Sequence, residues 1–169
     1  MPQWPTVLAG QTVTAGLLTS MLPIPAFKTI STPRASTTTA VPDPELVATV
    51  AANAQYGFQA FIRTSGDPSG DLKCTFTGPT GSTGSWGART MDTAATVATG
   101  LSQAIRTPLG TTKSIGELST SAPQIIQASG RLITGSVAGT FSFDWAQDVS
   151  FATATVIEAD SWFTLWRIA

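Results

Sequence analysis

Phe141-Ser142-Phe143-Asp144-Trp145-Ala146 decides the fold class. Three aromatics alternate with small or polar residues, the period of two that sends one set into a core and the other outward. The pattern belongs to a longer run, Ser129 to Ala169, that reads as three or four consecutive β-strands. Gly130, Gly135 and Gly139, then Gln147-Asp148 and Asp160-Ser161, supply residues suited to tight connections. The closing stretch, Ser161-Trp-Phe-Thr-Leu-Trp-Arg-Ile-Ala169, is apolar on both faces. Trp162, Trp166 and Ile168 share one face, while Phe163 and Leu165 share the other. A strand of this kind is covered on both sides. Phe163, Leu165, Trp162 and Trp166 are therefore assigned to the core or to an oligomer interface, the second cover being either this chain or another copy.

A chain of 169 residues is long enough for one domain with a true core. Charged residues are only 11%, less than half the usual share, and the deficit is filled by 28 Thr and 16 Ser. A Thr-rich, charge-poor sequence with 15 Gly and 11 Pro indicates β structure with many turns. The net charge of −1 leaves no electrostatic footprint for nucleic acid and no attraction to an anionic membrane. Cys74 is the sole cysteine, flanked on its own face by Leu72 and Phe76, and is expected to be a buried, inert thiol. Met1-Pro-Gln-Trp-Pro5 lacks the basic start of a secretory leader, and no apolar run approaches the length of a bilayer span, so synthesis in the cytoplasm is expected.

In chain order, residues 1–25 form an arm. Thr12 or Thr14 can cap a short helix carrying Leu17, Leu18, Met21 and Leu22 on one face, stopped by Pro23 and Pro25. A helix of about two turns is marginal alone, so its apolar face needs a partner. Residues 26–44, rich in Pro, Ser and Thr, read as a linker, and residues 45–169 as the β domain. Tyr56, Phe58, Ala60 and Ile62 alternate with Gly57, Gln59, Phe61 and Arg63. Leu72, Cys74 and Phe76 alternate with Lys73 and Thr75. Gly78-Pro-Thr-Gly-Ser-Thr-Gly84 reads as a loop leading to Trp86, and Met91 to Thr99 is open between a helical turn and a loop. Counted together, about eight to ten short strands imply an all-β antiparallel sandwich or jelly roll.

Catalytic chemistry is hard to place on this sequence. No histidine is present, which removes the commonest general base, every Ser-His-Asp or Cys-His arrangement and most zinc sites. Asp144 and Asp148 stand four apart, roughly 13 Å along a strand, too far for paired-carboxylate hydrolysis. Asp67-Pro-Ser-Gly-Asp71 offers oxygens to a calcium ion but reads better as a turn in which Asp67 bonds its own backbone. The glycine-rich 78–84 segment lacks the Gly-Lys-Ser/Thr ending of a phosphate loop. No enzyme, metal or cofactor is expected. Trp86, in its Gly/Ser surroundings, is the candidate exposed aromatic for a receptor or carbohydrate, and Trp4 the anchor of the arm.

Two stretches carry a resemblance. Leu8-Ala-Gly-Gln-Thr-Val-Thr-Ala-Gly-Leu-Leu-Thr-Ser-Met-Leu-Pro23 resembles the N-terminal segment of small virion proteins of tailed bacteriophages, and Gly70-Asp-Leu-Lys-Cys-Thr-Phe-Thr-Gly-Pro-Thr-Gly81 is similar to a later segment of them. The ending, through Trp145-Ala-Gln147, Ala152 to Val156 and Ser161 to Ile168, resembles theirs as well. Such proteins are minor tail, tail-fibre or head-decoration components. The closing strand also resembles those of trimeric jelly rolls. The resemblance implies a non-enzymatic structural protein on the virion surface, self-associating as a homotrimer. On that reading the apolar arm, with Trp4, Leu17, Leu18, Met21 and Leu22, is expected to be the element that docks on major capsid or tail proteins. A carbohydrate-binding module contacting a host surface glycan is the alternative.

Overall fold

The computed structural model describes residues 8–91, 93, 101–102 and 106–169. They form two antiparallel sheets stacked as a β-sandwich, the all-β architecture that the alternating aromatics predict. The large sheet is built around β4 (Gln55–Ser65), β10 (Gln124–Ile133), β6 (Thr83–Met91) and β13 (Trp162–Arg167). At one edge β1 (Ile24–Phe27) pairs with β13, and at the other β7 (Leu101–Ser102) and β8 (Thr107–Pro108) pair with β6. Beyond β13, the end of β4 pairs with β12 (Thr155–Ile157), which in turn pairs with β2 (Thr32–Arg34). The small sheet runs β3 (Val41–Val50), β11 (Gly139–Gln147), β5 (Leu72–Thr77), β9 (Lys113–Ile115). The strand number exceeds expectation because β2, β7, β8, β9 and β12 are only two or three residues long, too short to leave a periodic signature.

Aromatic rings fill the space between the sheets. Phe58 of the large sheet meets Phe76 and Phe141 of the small one, each at 4.9 Å between ring centres. Phe141 in turn meets Phe163 edge-on at 5.4 Å. Phe143, Trp145, Leu165 and Cys74 are fully buried among them. Burial pushes the Cys74 thiol far up, so it stays protonated and inert as expected.

The linker expected at 26–44 is corrected. Ile24–Phe27 and Thr32–Arg34 are strands of the large sheet, and Val41 already opens the small one. Between them lies a buried ion pair: Lys28 Nζ donates to both oxygens of Asp43 at 2.9 Å and to Thr32 Oγ1 at 2.6 Å. Trp145 Nε1 donates to Asp43 at 3.2 Å, and the backbone N–H groups of Glu45 and Leu46 donate to it as well. A charge pair is sustained without water only when its remaining valences are filled in this way. Pro and Thr density hid these strands, because edge strands tolerate prolines that interior strands do not.

The arm matches its expectation in part. Helix α1 (Ala15–Ser20) is capped by Thr14, whose Oγ1 accepts from Leu17 N at 3.2 Å. Met21 and Leu22 lie just past its end. Leu18, Met21 and Leu22 are exposed and Leu17 is half-buried, so the sandwich leaves this apolar segment largely uncovered. Trp4 lies outside the described residues, as does nearly all of the undecided 91–99 segment.

Candidate binding site on the outer face of the large sheet

The alternation that buries Phe58, Ala60 and Ile62 necessarily sends Gln59, Phe61 and Arg63 outward. Strand pairing then aligns them with the outward residues of neighbouring strands. One cross-strand row runs Phe27, Trp162, Phe61, Gln127, Arg89. The next runs Pro25, Thr164, Gln59, Ser129, Gly87, and the third Trp166, Gly57, Arg131, Ser85. The middle row is low because Ser129 and Gly87 are small, and it is flanked by tall side chains on either side. The result is a trough of about 500 Å³ over Gln59, Phe61, Gly87, Arg89, Gln127 and Trp162. It continues over Gly87 and Ser129 into a second hollow of about 340 Å³ beside Arg106 and Arg131.

Two contacts fix the aromatic wall. Phe61 and Trp162 stack almost parallel, 11° apart with centres 6.2 Å apart, and present a continuous flat apolar edge. Trp166 lies flat on Gly57, where a Cβ would come within 2.5 Å of the indole. The glycine is thus required for the ring to lie down. Opposite this wall are planar amides and guanidinium groups. Arg89 and Arg131 are exposed and have no hydrogen-bond or ion-pair partner among the described residues. Arg106 donates to Ser85 at 3.2 Å. None of the strand positions in the three rows is acidic.

Asp160 pairs with outward Arg63 at 3.2 Å, while Glu117, Asp71 and Glu158 cluster around the end of β4. Glu117 is buried and accepts from Thr64 Oγ1 at 2.5 Å, while its other oxygen has no partner. Burial pushes its carboxyl up to about 8; the Thr64 hydroxyl opposes this, and Asp71 and Glu158 reinforce it by repulsion. The backbone N–H of Glu117 donates to Asp71 at 2.8 Å, and burial also raises Asp71. Asp67 accepts from Ser69 N at 2.8 Å, the self-bonded turn that the sequence suggests. Asp144 accepts from Thr77 and Ser142. Among the described residues no group of three or more Cys, Asp or Glu is placed to hold a metal ion, and no helix is long and apolar enough to cross a membrane.

The site residues read from the sequence are redistributed. Trp86, expected in an exposed loop, is 2% exposed on β6, its ring edge-on to Phe76 at 5.3 Å. Its glycine neighbours are strand residues: Gly84 has φ +150° and passes so close to Arg131 O that no side chain fits. Trp86 therefore cannot be the receptor aromatic. Phe163 and Leu165 are core, whereas Trp162 is half-buried and Trp166 is 38% exposed. Of the trough residues, Gln59 and Phe61 are legible in the sequence as the outward phase of a strand, whereas Arg89 and Gln127 carry no sequence signal of a site. The available signal was Phe61, an aromatic on the outward phase of an otherwise clear strand.

No family model matches the chain. No curated protein matches it either. Among solved structures, a chain from infectious bursal disease virus Gx strain is similar with a TM-score of 0.23 and 13% identity, over 88% of this chain and 36% of that one. A chain of the VP2 subviral particle of infectious bursal disease virus is similar with a TM-score of 0.20 and 9% identity, over 88% and 40%. This chain thus spans two fifths or less of either. Likeness at that level carries no argument here.

Proposed function

We propose that the protein is a non-enzymatic structural protein of a bacteriophage virion, a homotrimer displayed on the particle surface as capsid decoration or tail appendage. The observation that carries this reading is the arm. Leu18, Met21 and Leu22 are 55%, 47% and 63% exposed in a segment preceding the first strand, and the helix they adjoin is too short to persist alone. Such a segment gains order only by laying its apolar side chains on another surface. A capsid or tail subunit supplies that surface, leaving the sandwich outside.

The arm can be tested without disturbing the sheets, because β1 begins at Ile24. Deleting residues 1–22 should leave a folded sandwich with an unchanged oligomeric state by light scattering, yet abolish incorporation into particles. Normal incorporation of the truncated protein would overturn the reading. Immunogold labelling of intact particles with an antibody against the sandwich then separates the placements: gold over the head means decoration, gold at the tail means an appendage.

A further inference from the structure

The trough on the large sheet has no role in docking by the arm, and its chemistry is specific. We infer that it is a binding site for an acidic oligosaccharide, with Phe61 and Trp162 as the stacking wall and Arg89 and Arg131 as the anion clamps. Four observations converge. The stacked Phe61–Trp162 pair offers flat π faces of negative potential, which attract the positively polarised C–H face of a pyranose. Gln59 and Gln127 add planar amides, each with donors and an acceptor, the complement of paired ring hydroxyls. Arg89 and Arg131 hold donor forks that no acid among the described residues engages, and a guanidinium fork matches a carboxylate or sulfate bidentately. The hollow, at about 500 Å³, falls within the range of small-ligand sites, about 300–1,000 Å³.

Other occupants fit less well. If the face packed on its own copy, the arginines would lose their water with Asp160, already paired to Arg63, as the acid described nearby, a costly arrangement. Single-stranded nucleic acid also stacks on aromatics, but its binding is dominated by phosphate neutralisation, and the net charge of this chain is −1. A short anionic sugar needs only the local pair of cations. The site uses no residue of the arm, so failure of either idea leaves the other standing.

Titration calorimetry on the full chain provides the test, with four probes: a hexamer of galacturonic acid (carboxylate), a heparin-derived hexasaccharide (sulfate), cellohexaose (neutral) and oligo(dT). At least one acidic sugar should bind, with affinity falling as salt is raised and cellohexaose weaker by about tenfold or more. Comparing the two acidic probes identifies the anion. The double variant R89A/R131A should lose about tenfold or more in affinity at unchanged melting temperature, and Gln127→Ala, also at an exposed position, should weaken binding in the same direction. The inference is overturned if neither acidic sugar binds at about 1 mM, if cellohexaose binds as tightly, if the double variant binds unchanged, or if oligo(dT) binds more tightly through the same arginines.

Discussion

The outer faces of the two sheets use the same backbone geometry and opposite side-chain strategies. On the small sheet, Thr49, Thr140 and Thr77 lie on the outward phase, and the polar groups around Asp144 satisfy one another. Thr77 Oγ1 donates to Asp144 at 2.9 Å and Ser142 Oγ donates to its other oxygen at 2.5 Å. On the large sheet the outward positions carry Phe61, Trp162, Gln127, Arg89 and Arg131, and both arginines keep their donors open. A closed network presents water with a quiet, neutral surface. An open one is suited to a ligand with complementary groups. The difference separates a face that only ends the molecule from one that can recognise something.

That contrast can be broken or sharpened by substitution. The largest effect should come from the shared core: Phe143→Ala should cost about 3–5 kcal/mol by chemical denaturation. Trp162→Ala, on the open face and only half-buried, should cost about 1 kcal/mol. Equal losses would mean that the large-sheet face is as closed as the core. Next comes the acidic end. Glu117 is protonated in the folded state up to about 8 and ionises near the ordinary 4.5 when unfolded. The folded state thus holds the extra proton between those values, so stability is greatest below about 4.5 and falls as pH rises to about 8. The fall should be on the order of 5 kcal/mol. Melting curves of Glu117→Gln across that window should be flatter than those of the parent; an identical slope would place the proton elsewhere. The smallest effects should be on the faces themselves. Ser142→Ala, which strips one donor from half-buried Asp144, should cost about 1 kcal/mol. Arg89→Ala and Arg131→Ala should stay within about 0.5 kcal/mol. A larger loss for the arginines would show that they brace the sheet.

The sequence reveals the sandwich wherever alternation is long and clean. Phe141, Phe143 and Trp145 point inward as their spacing predicts, and so do Tyr56, Phe58 and Ile62. Reading fails where strands are short or dressed as loops. Thr32–Arg34 contains a proline and spans three residues, so no period can develop. Trp86 sits between Gly84 and Gly87, which look like loop punctuation but serve close backbone approach within a strand. The trough is less legible still, because it depends on register. Gln59, Gln127 and Arg89 are far apart in sequence, and only the pairing of β4 with β10 and of β10 with β6 brings them into one hollow. The closing strand is the middle case. Its two apolar phases were visible, but which one faces inward depends on the neighbour across the sheet.

The placement of Lys28 has a mechanical consequence. The arm leads straight into β1, an edge strand hydrogen-bonded along its length to β13, and immediately afterwards the chain is bolted inside by the Lys28–Asp43 pair. A tug on the arm along that strand loads every hydrogen bond of the β1–β13 ladder together, in shear, instead of peeling them one after another. Behind the ladder, the ammonium group would have to be dragged out of a dry, fully coordinated seat before the next strand could yield. A tethered sandwich built this way resists being torn from its anchor at the point where force enters.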